Sequence, residues 1–326
     1  MKELLERHRL VVCVGTGGVG KTTISAALAL GAARAGRRAM VLTIDPARAL
    51  GRALGVDLAN GAEVAPNLHA AMLDQKRAWD AFVARHAPSD AVARTLLDNP
   101  FYRRLSTAFA GSSEYMAIEE MCRLVESGAH DLVVLDTPPS VHAIDFLRAP
   151  ERIDRLLDQP RDITGSLARF VARQLERAAG STTLGDIGRF LGAMTALVDG
   201  VRERTRRARG LLRDREAAFV LVTGARASIL EDTRELAIAL EARAAPLAAV
   251  VINRTHPILP ARSVAGLDPW LAARWNEAFA EAVAEDAILS PFVASLPPAV
   301  TCARVPDGRD VCSLSSLEEI ADHLGL

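Results

Sequence analysis

Five short runs of almost unbroken apolar residues punctuate the chain: Leu10–Val14, Ala39–Ile44, Leu132–Leu135, Phe219–Thr223 and Ala249–Ile252. Runs of that length, without polar alternation, predict strands of a parallel sheet covered on both faces. A shorter strand is predicted at Leu68–Leu73 and a last one at Pro291–Leu296. Between them the periodicity turns helical, over Thr23–Arg34, Glu114–Val125 and Ser228–Arg243. Strands alternating with helices predict an α/β fold with a mainly parallel central sheet flanked by helices. From Pro150 to Arg215 there is no strand signal. The expected organisation is therefore a sheet domain of residues 1–149 and 216–326 carrying an inserted helical subdomain of residues 150–215.

The polar punctuation after the first strand carries the chemistry. Gly15-Thr16-Gly17-Gly18-Val19-Gly20-Lys21-Thr22 fits the phosphate-loop pattern G-x-x-x-x-G-K-[ST], and it lies between a predicted strand and a predicted helix, the context that pattern requires. Glycine permits the tight backbone that turns successive N–H groups towards phosphate oxygens. The helix opening at Thr22 and Thr23 adds its dipole to the attraction for anions. Lys21 is one of only three lysines, with Lys2 and Lys76, in a chain whose other positive charge is arginine. A compact ammonium fits between the β- and γ-phosphates where a planar guanidinium does not. Thr22 is the expected direct ligand of Mg²⁺. The whole loop, Gly15 to Thr23, is read as a P-loop NTPase site for ATP with Mg²⁺.

Two acids stand at the ends of neighbouring predicted strands. Asp136 closes Leu132–Leu135, the arrangement by which a carboxylate holds the water shell of Mg²⁺. Asp45 follows Ile44 and is aimed at the same sheet edge. From spacing alone it is equally an N-cap for the helix that follows and a group that orients an attacking water. The paired prolines of Thr137-Pro138-Pro139-Ser140 fix an irregular loop beside it.

Composition narrows the partners. The 326 residues are 50% hydrophobic and 24% charged with a net charge of -1, so electrostatics gives no case for nucleic acid. No apolar run approaches a membrane span, and no secretory pattern is read at the start of the chain. Cys13, Cys122, Cys302 and Cys312 form no C-x-x-C pair. Reduced thiols and a cytoplasmic location are expected.

These motifs together resemble the deviant Walker A ATPases of the arsenite-pump (ArsA) and tail-anchored-protein targeting (GET/TRC) type. Gly15 to Thr23 resembles that family's G-K-G-G-V-G-K-T-T, Thr43-Ile44-Asp45-Pro46-Ala47 its switch I, and Asp136-Thr137-Pro138-Pro139-Ser140-Val141-His142 its switch II. The resemblance implies that Asp45 polarises the attacking water, that Asp136 supports Mg²⁺, and that Asn253 reads adenine. It also implies that the loop running through Val305-Pro306 covers the base. One departure matters: the family's signature lysine, which reaches a partner subunit's nucleotide, is Thr16 here. Arg48 is the candidate replacement for that charge.

The resemblance further implies a homodimer, or pairing with a homologous ATPase, and a hydrophobic client held by the inserted helices. Leu184, Ile187, Phe190, Leu191, Met194, Leu197, Val198 and Val201 form an apolar stripe, and Ile163, Leu167, Phe170 and Val171 a second. From the residues alone each stripe is read first as internal core, because an amphipathic helix usually packs inward. Gly185, Gly188 and Gly192 make the first helix easy to remodel. The run Arg202, Arg204, Arg206, Arg207 and Arg209 is expected on a solvated helix face. Three other readings stay open: a scaffold that locks on ATP with little turnover, a ParA/MinD-type partitioning ATPase, and an arsenite-transport ATPase. The last is disfavoured by Ser112 and Ser113 where a metalloid-binding cysteine is expected.

Overall fold

The computed structural model describes residues 1–45, 49–58, 61–100, 102–103, 112–137, 148, 151, 184–257, 259–260, 266–308, 311 and 313–326, with the backbone alone for residues 112–114, 184–191 and 194–199. In chain order the described elements are α1 (Lys2–Arg7), β1 (Leu10–Gly15), α2 (Lys21–Arg34), β2 (Ala39–Thr43), α3 (Ala49–Leu54), β3 (Ala62–Ala65) and β4 (Leu68–Met72). There follow α4 (Gln75–His86), α5 (Asp90–Leu97), α6 (Ser112–Ser127), β5 (Leu132–Asp136), α7 (Leu184–Arg213) and β6 (Ala217–Gly224). The chain ends with α8 (Ala227–Glu241), β7 (Leu247–Thr255), α9 (Pro269–Ala294), β8 (Thr301–Pro306) and α10 (Leu314–His323).

The strands form one sheet in the order β3-β4-β2-β5-β1-β6-β7-β8. Every neighbouring pair is parallel except β3 with β4. This is the doubly covered α/β sheet that the apolar runs predict, and β1 is buried at all six of its positions. Among the helices, α2 is buried nearly all round, which a run of Ala and Leu allows because small side chains let it lie close to the strands. Leu326 packs against Gly31 of this helix so closely that a Cβ there would lie 2.6 Å from the leucine. The β3 strand, which its polar and apolar pattern does not announce, adds an antiparallel edge with a register shift.

One predicted strand is a helix. Pro291–Leu296 belongs mostly to α9, which carries Pro291 in its last turns. Proline removes only one amide there, and Leu289 and Phe292, three residues apart on one helical face, are its buried anchors. The last strand is instead β8, so Val305 and Pro306 end a strand rather than lie in a loop. Val305 is buried in the main core.

The chain divides into two compact units: Met1–Met72, Ser127–Ile144 and Arg213–Leu326 form the first, and Leu73–Glu126 and Asp145–Leu212 the second. The first contains the sheet. The stretch expected as an insertion, residues 150–215, falls in the second up to Leu212, together with residues 73–126. The second unit has its own small cores, one around Phe82, Tyr115 and Met116 and another around Val83, Leu96 and Tyr102. The expected solvated face of the arginine run is corrected at Arg204, which is buried and paired with the buried Glu119 and with Glu126. A guanidinium enters that interior because two carboxylates wait for it. Arg206 and Arg207 stay exposed, paired with Glu203 of their own helix. No described helix is long and apolar enough to cross a membrane.

Candidate functional site

The parallel register brings the chemistry to one edge. Cys13 of β1 and Thr43 of β2 are both register partners of Asp136, the last residue of β5. The strand between β5 and β6 then runs out into the loop. Gly15 is the register partner of Val222 on β6, and a Cβ at Gly15 would lie 2.1 Å from the Val222 carbonyl oxygen. Only glycine permits that approach. At the far end of the loop Gly20 takes φ +89 as the N-cap of α2. The first turn of α2 holds no acidic residue, so its dipole is left for an anion.

The loop is held from β7. Asn253 Nδ2 donates to the Val19 carbonyl at 2.8 Å, and a Cβ on Gly20 would come within 2.2 Å of that nitrogen. Sequence reasoning assigned Asn253 to adenine through resemblance; the structure places it, buried, against the loop backbone. Arg254 Nη1 also donates to the loop, to the Gly18 carbonyl at 3.3 Å. No sequence signal marked this residue beyond its place beside Asn253.

Lys21 is buried and its Nζ donates to the Thr16 carbonyl at 2.8 Å, folding the side chain back along the loop. Burial lowers its pKa, while Asp136 and Asp45 pull the other way. Those interactions place Asp45 within electrostatic reach of both Lys21 and Asp136. The Asp45 amide donates to Thr43 Oγ1 at 3.3 Å. Thr16 is buried and its hydroxyl has no hydrogen-bond partner among the described residues. The position brings no charge to the loop.

Asp136 is the hub. Thr22 Oγ1 and Thr43 Oγ1 each donate to its Oδ2 at 2.8 Å, and Ser25 Oγ approaches Oδ1 at 3.5 Å. Burial pushes its pKa up to about 6, against the lowering effect of the two threonine hydroxyls and Lys21. The carboxylate is thus kept out of water with its Oδ2 shared by two hydroxyl donors. Thr43, Ser25 and Thr137, whose Oγ1 donates to the Cys13 carbonyl at 2.7 Å, are site residues that sequence reasoning left without a role. Thr43 is marked by its strand register to Asp136 and Thr137 by its place directly after it; Ser25, three residues past Thr22 on α2, carries no such signal.

The donor set suits Mg²⁺: a hydroxyl oxygen and a carboxylate, both hard, 2.8 Å apart, with the hydroxyl's lone pairs still available. Arg48, Pro46, Ala47 and Pro138 to His142 lie outside the described residues.

The chain matches the family described as anion-transporting ATPase over residues 8–283. An uncharacterized protein of Streptomyces coelicolor is 34% identical over 177 residues, 53% of this chain and 45% of that protein. A putative arsenical pump-driving ATPase of Chlorobaculum tepidum is 27% identical over 177 residues, 52% of this chain and 42% of its own length. ATPase GET3 of Malassezia globosa is 29% identical over 162 residues, 48% and 47% of the two chains. The matched region thus spans under half the length of these curated relatives. With the match running from residue 8 to residue 283 and the phosphate loop set at the carboxyl edge of a parallel sheet, this chain belongs to the anion-transporting ATPase family.

Proposed function

We propose that this chain binds ATP with Mg²⁺ in the Gly15–Thr23 loop, hydrolyses it, and uses the cycle to change shape. The observation that carries the reading is the convergence of Thr22 and Thr43 on the buried Asp136 beside Lys21. Lys21 swings from the Thr16 carbonyl to the phosphates. The loop amides and the α2 dipole hold the same oxygens. Thr22 supplies a direct ligand for the cation and Asp136 fixes its water shell. When bound, Mg²⁺ neutralises charge on the β- and γ-phosphate oxygens. Asp45, near Lys21 but only partly buried, orients the attacking water.

Phosphate release from ATP by the purified chain, with and without Mg²⁺, tests this beside Thr22→Val, which keeps the shape and removes the oxygen. We expect Mg²⁺-dependent release that the variant loses. Release at the same rate by both would contradict the assignment.

The cycle is proposed to run in a homodimer or in a pair with a homologous ATPase, at a cytoplasmic site, on a hydrophobic client. The support is the family resemblance and the stripe around Phe190 and Met194 on α7, whose side chains lie outside the described residues. Thiol labelling of Phe190→Cys and Met194→Cys with and without ATP checks the client surface. Labelling should rise in one nucleotide state; protection in both states would end the client reading. A second reading, an ATP-locked scaffold with little turnover, is favoured by Thr16, which supplies no charge where the resemblance has lysine.

A further inference from the structure

Side chains of adjacent strand residues point to opposite faces of a sheet. Asn253 and Arg254 are adjacent on β7, yet both donate to the phosphate loop, one to the Val19 carbonyl and the other to the Gly18 carbonyl. The backbone explains how. Arg254 has φ +57, and the ladder between β7 and β8 shifts register between Asn253 and Thr255. A bulge of this kind re-aims a side chain, and a long residue in the left-handed region carries strain that its surroundings must hold in place. The Arg254 side chain is exposed between the buried Asn253 and Thr255, and the turn at this position carries it to the Gly18 carbonyl.

In a trans peptide the carbonyl and the N–H point in opposite directions. A carbonyl that accepts from a cation polarises its peptide and strengthens the N–H on the far side as a donor. The Gly18–Val19 and Val19–Gly20 peptides are thus gripped by their oxygens from β7, with their N–H groups turned the other way. We infer that Arg254 is a positioning residue of the phosphate site, holding the tip of the loop through the Gly18 carbonyl so that its amides grip the polyphosphate of a nucleotide rather than the base. It also places a fixed positive charge on a loop whose Thr16 has none. The inference rests on reading the loop as a triphosphate site.

The test titrates the full chain and its Arg254→Gly, Arg254→Ala and Arg254→Lys variants with ATP, inorganic tripolyphosphate and adenosine, each in the presence of Mg²⁺, and records the unfolding temperature. Loss of a charge-assisted contact should weaken ATP and tripolyphosphate by about tenfold in the glycine and alanine variants, with adenosine unchanged. Lysine should restore part of the loss. In turnover the effect should fall on KM more than on kcat. The glycine variant separates positioning from folding: glycine takes φ +57 without strain, so it should unfold at the wild-type temperature or above while still losing affinity. Unchanged tripolyphosphate affinity in Arg254→Gly would overturn the inference, as would an equal loss for adenosine, or an affinity loss that tracks a lower unfolding temperature. If wild type binds neither ATP nor tripolyphosphate, the nucleotide-site reading itself is wrong and takes the inference with it.

Discussion

Asp136 shows at the scale of one residue how the site is set against the stability of the fold. Its pKa is near 6 in the folded chain and near 3.9 in an unfolded one, so between those values the folded state holds the extra proton. Stability from this group is full below the lower value and is lost as pH rises through about 6, by on the order of 3 kcal/mol in the absence of a cation. Asp136→Asn, which never carries the charge, should therefore unfold at a higher urea concentration than wild type at pH 7. The gap should shrink as pH falls towards 4. The same variant should lose Mg²⁺-dependent nucleotide binding. A constant gap across that range would show that burial of the charge is not what separates them.

Gly20 makes the complementary case for backbone. Alanine there must bear φ +89 and displace the Asn253 amide, so Gly20→Ala should cost about 1–3 kcal/mol and weaken ATP binding together. Equal stability and affinity in calorimetry would remove the clamp from the account. The loop glycines and Lys21 were legible in the sequence because their pattern names a backbone shape and a charge. Asn253 was legible as a residue, but its grip on the Val19 carbonyl was not, since it joins positions far apart in the chain.

At the scale of elements, continuous apolar runs announced β1, β2, β5, β6 and β7, and acids or loops at their carboxyl ends announced the site. What the pattern misread was where helix geometry and proline conflict. Pro291 looked like a strand boundary, yet α9 runs through it on the strength of Leu289 and Phe292. The arginine run was misread for a related reason. Helical spacing gives the five arginines different surroundings, and Arg204 turns to the buried Glu119, whose sequence position gives no hint of the pairing. Breaking that pair by Arg204→Met leaves Glu119 held by Arg85, at 2.9 Å, and should cost about 2–3 kcal/mol in urea unfolding of the intact chain. The double change Arg204→Met with Glu119→Met should recover part of it, since the half-exposed Arg85 that also pairs with Glu119 can turn to solvent. If the double variant is as unstable as the single one, the contact is shape rather than charge.

At the scale of the whole molecule, the sheet unit collects every described residue of the candidate site, so the proposed nucleotide chemistry is assigned to it. The proposed conformational cycle needs a second body to move, and two ATPase copies to meet. Sedimentation of the chain with ATP and Mg²⁺ should show a twofold larger species that reverts with ADP; a monomer under both conditions would leave a cycle within one chain. All of this depends on hydrolysis, and Asp45 is the residue on which hydrolysis is placed. The most direct measurement is steady-state Mg-ATP turnover of wild type beside Asp45→Asn, with ATP affinity measured separately for both. Wild type should turn ATP over, and the variant should bind ATP within a few-fold of wild type but turn it over about a hundredfold or more slowly. Equal rates in the two, or binding with no turnover in either, would contradict the Asp45 assignment.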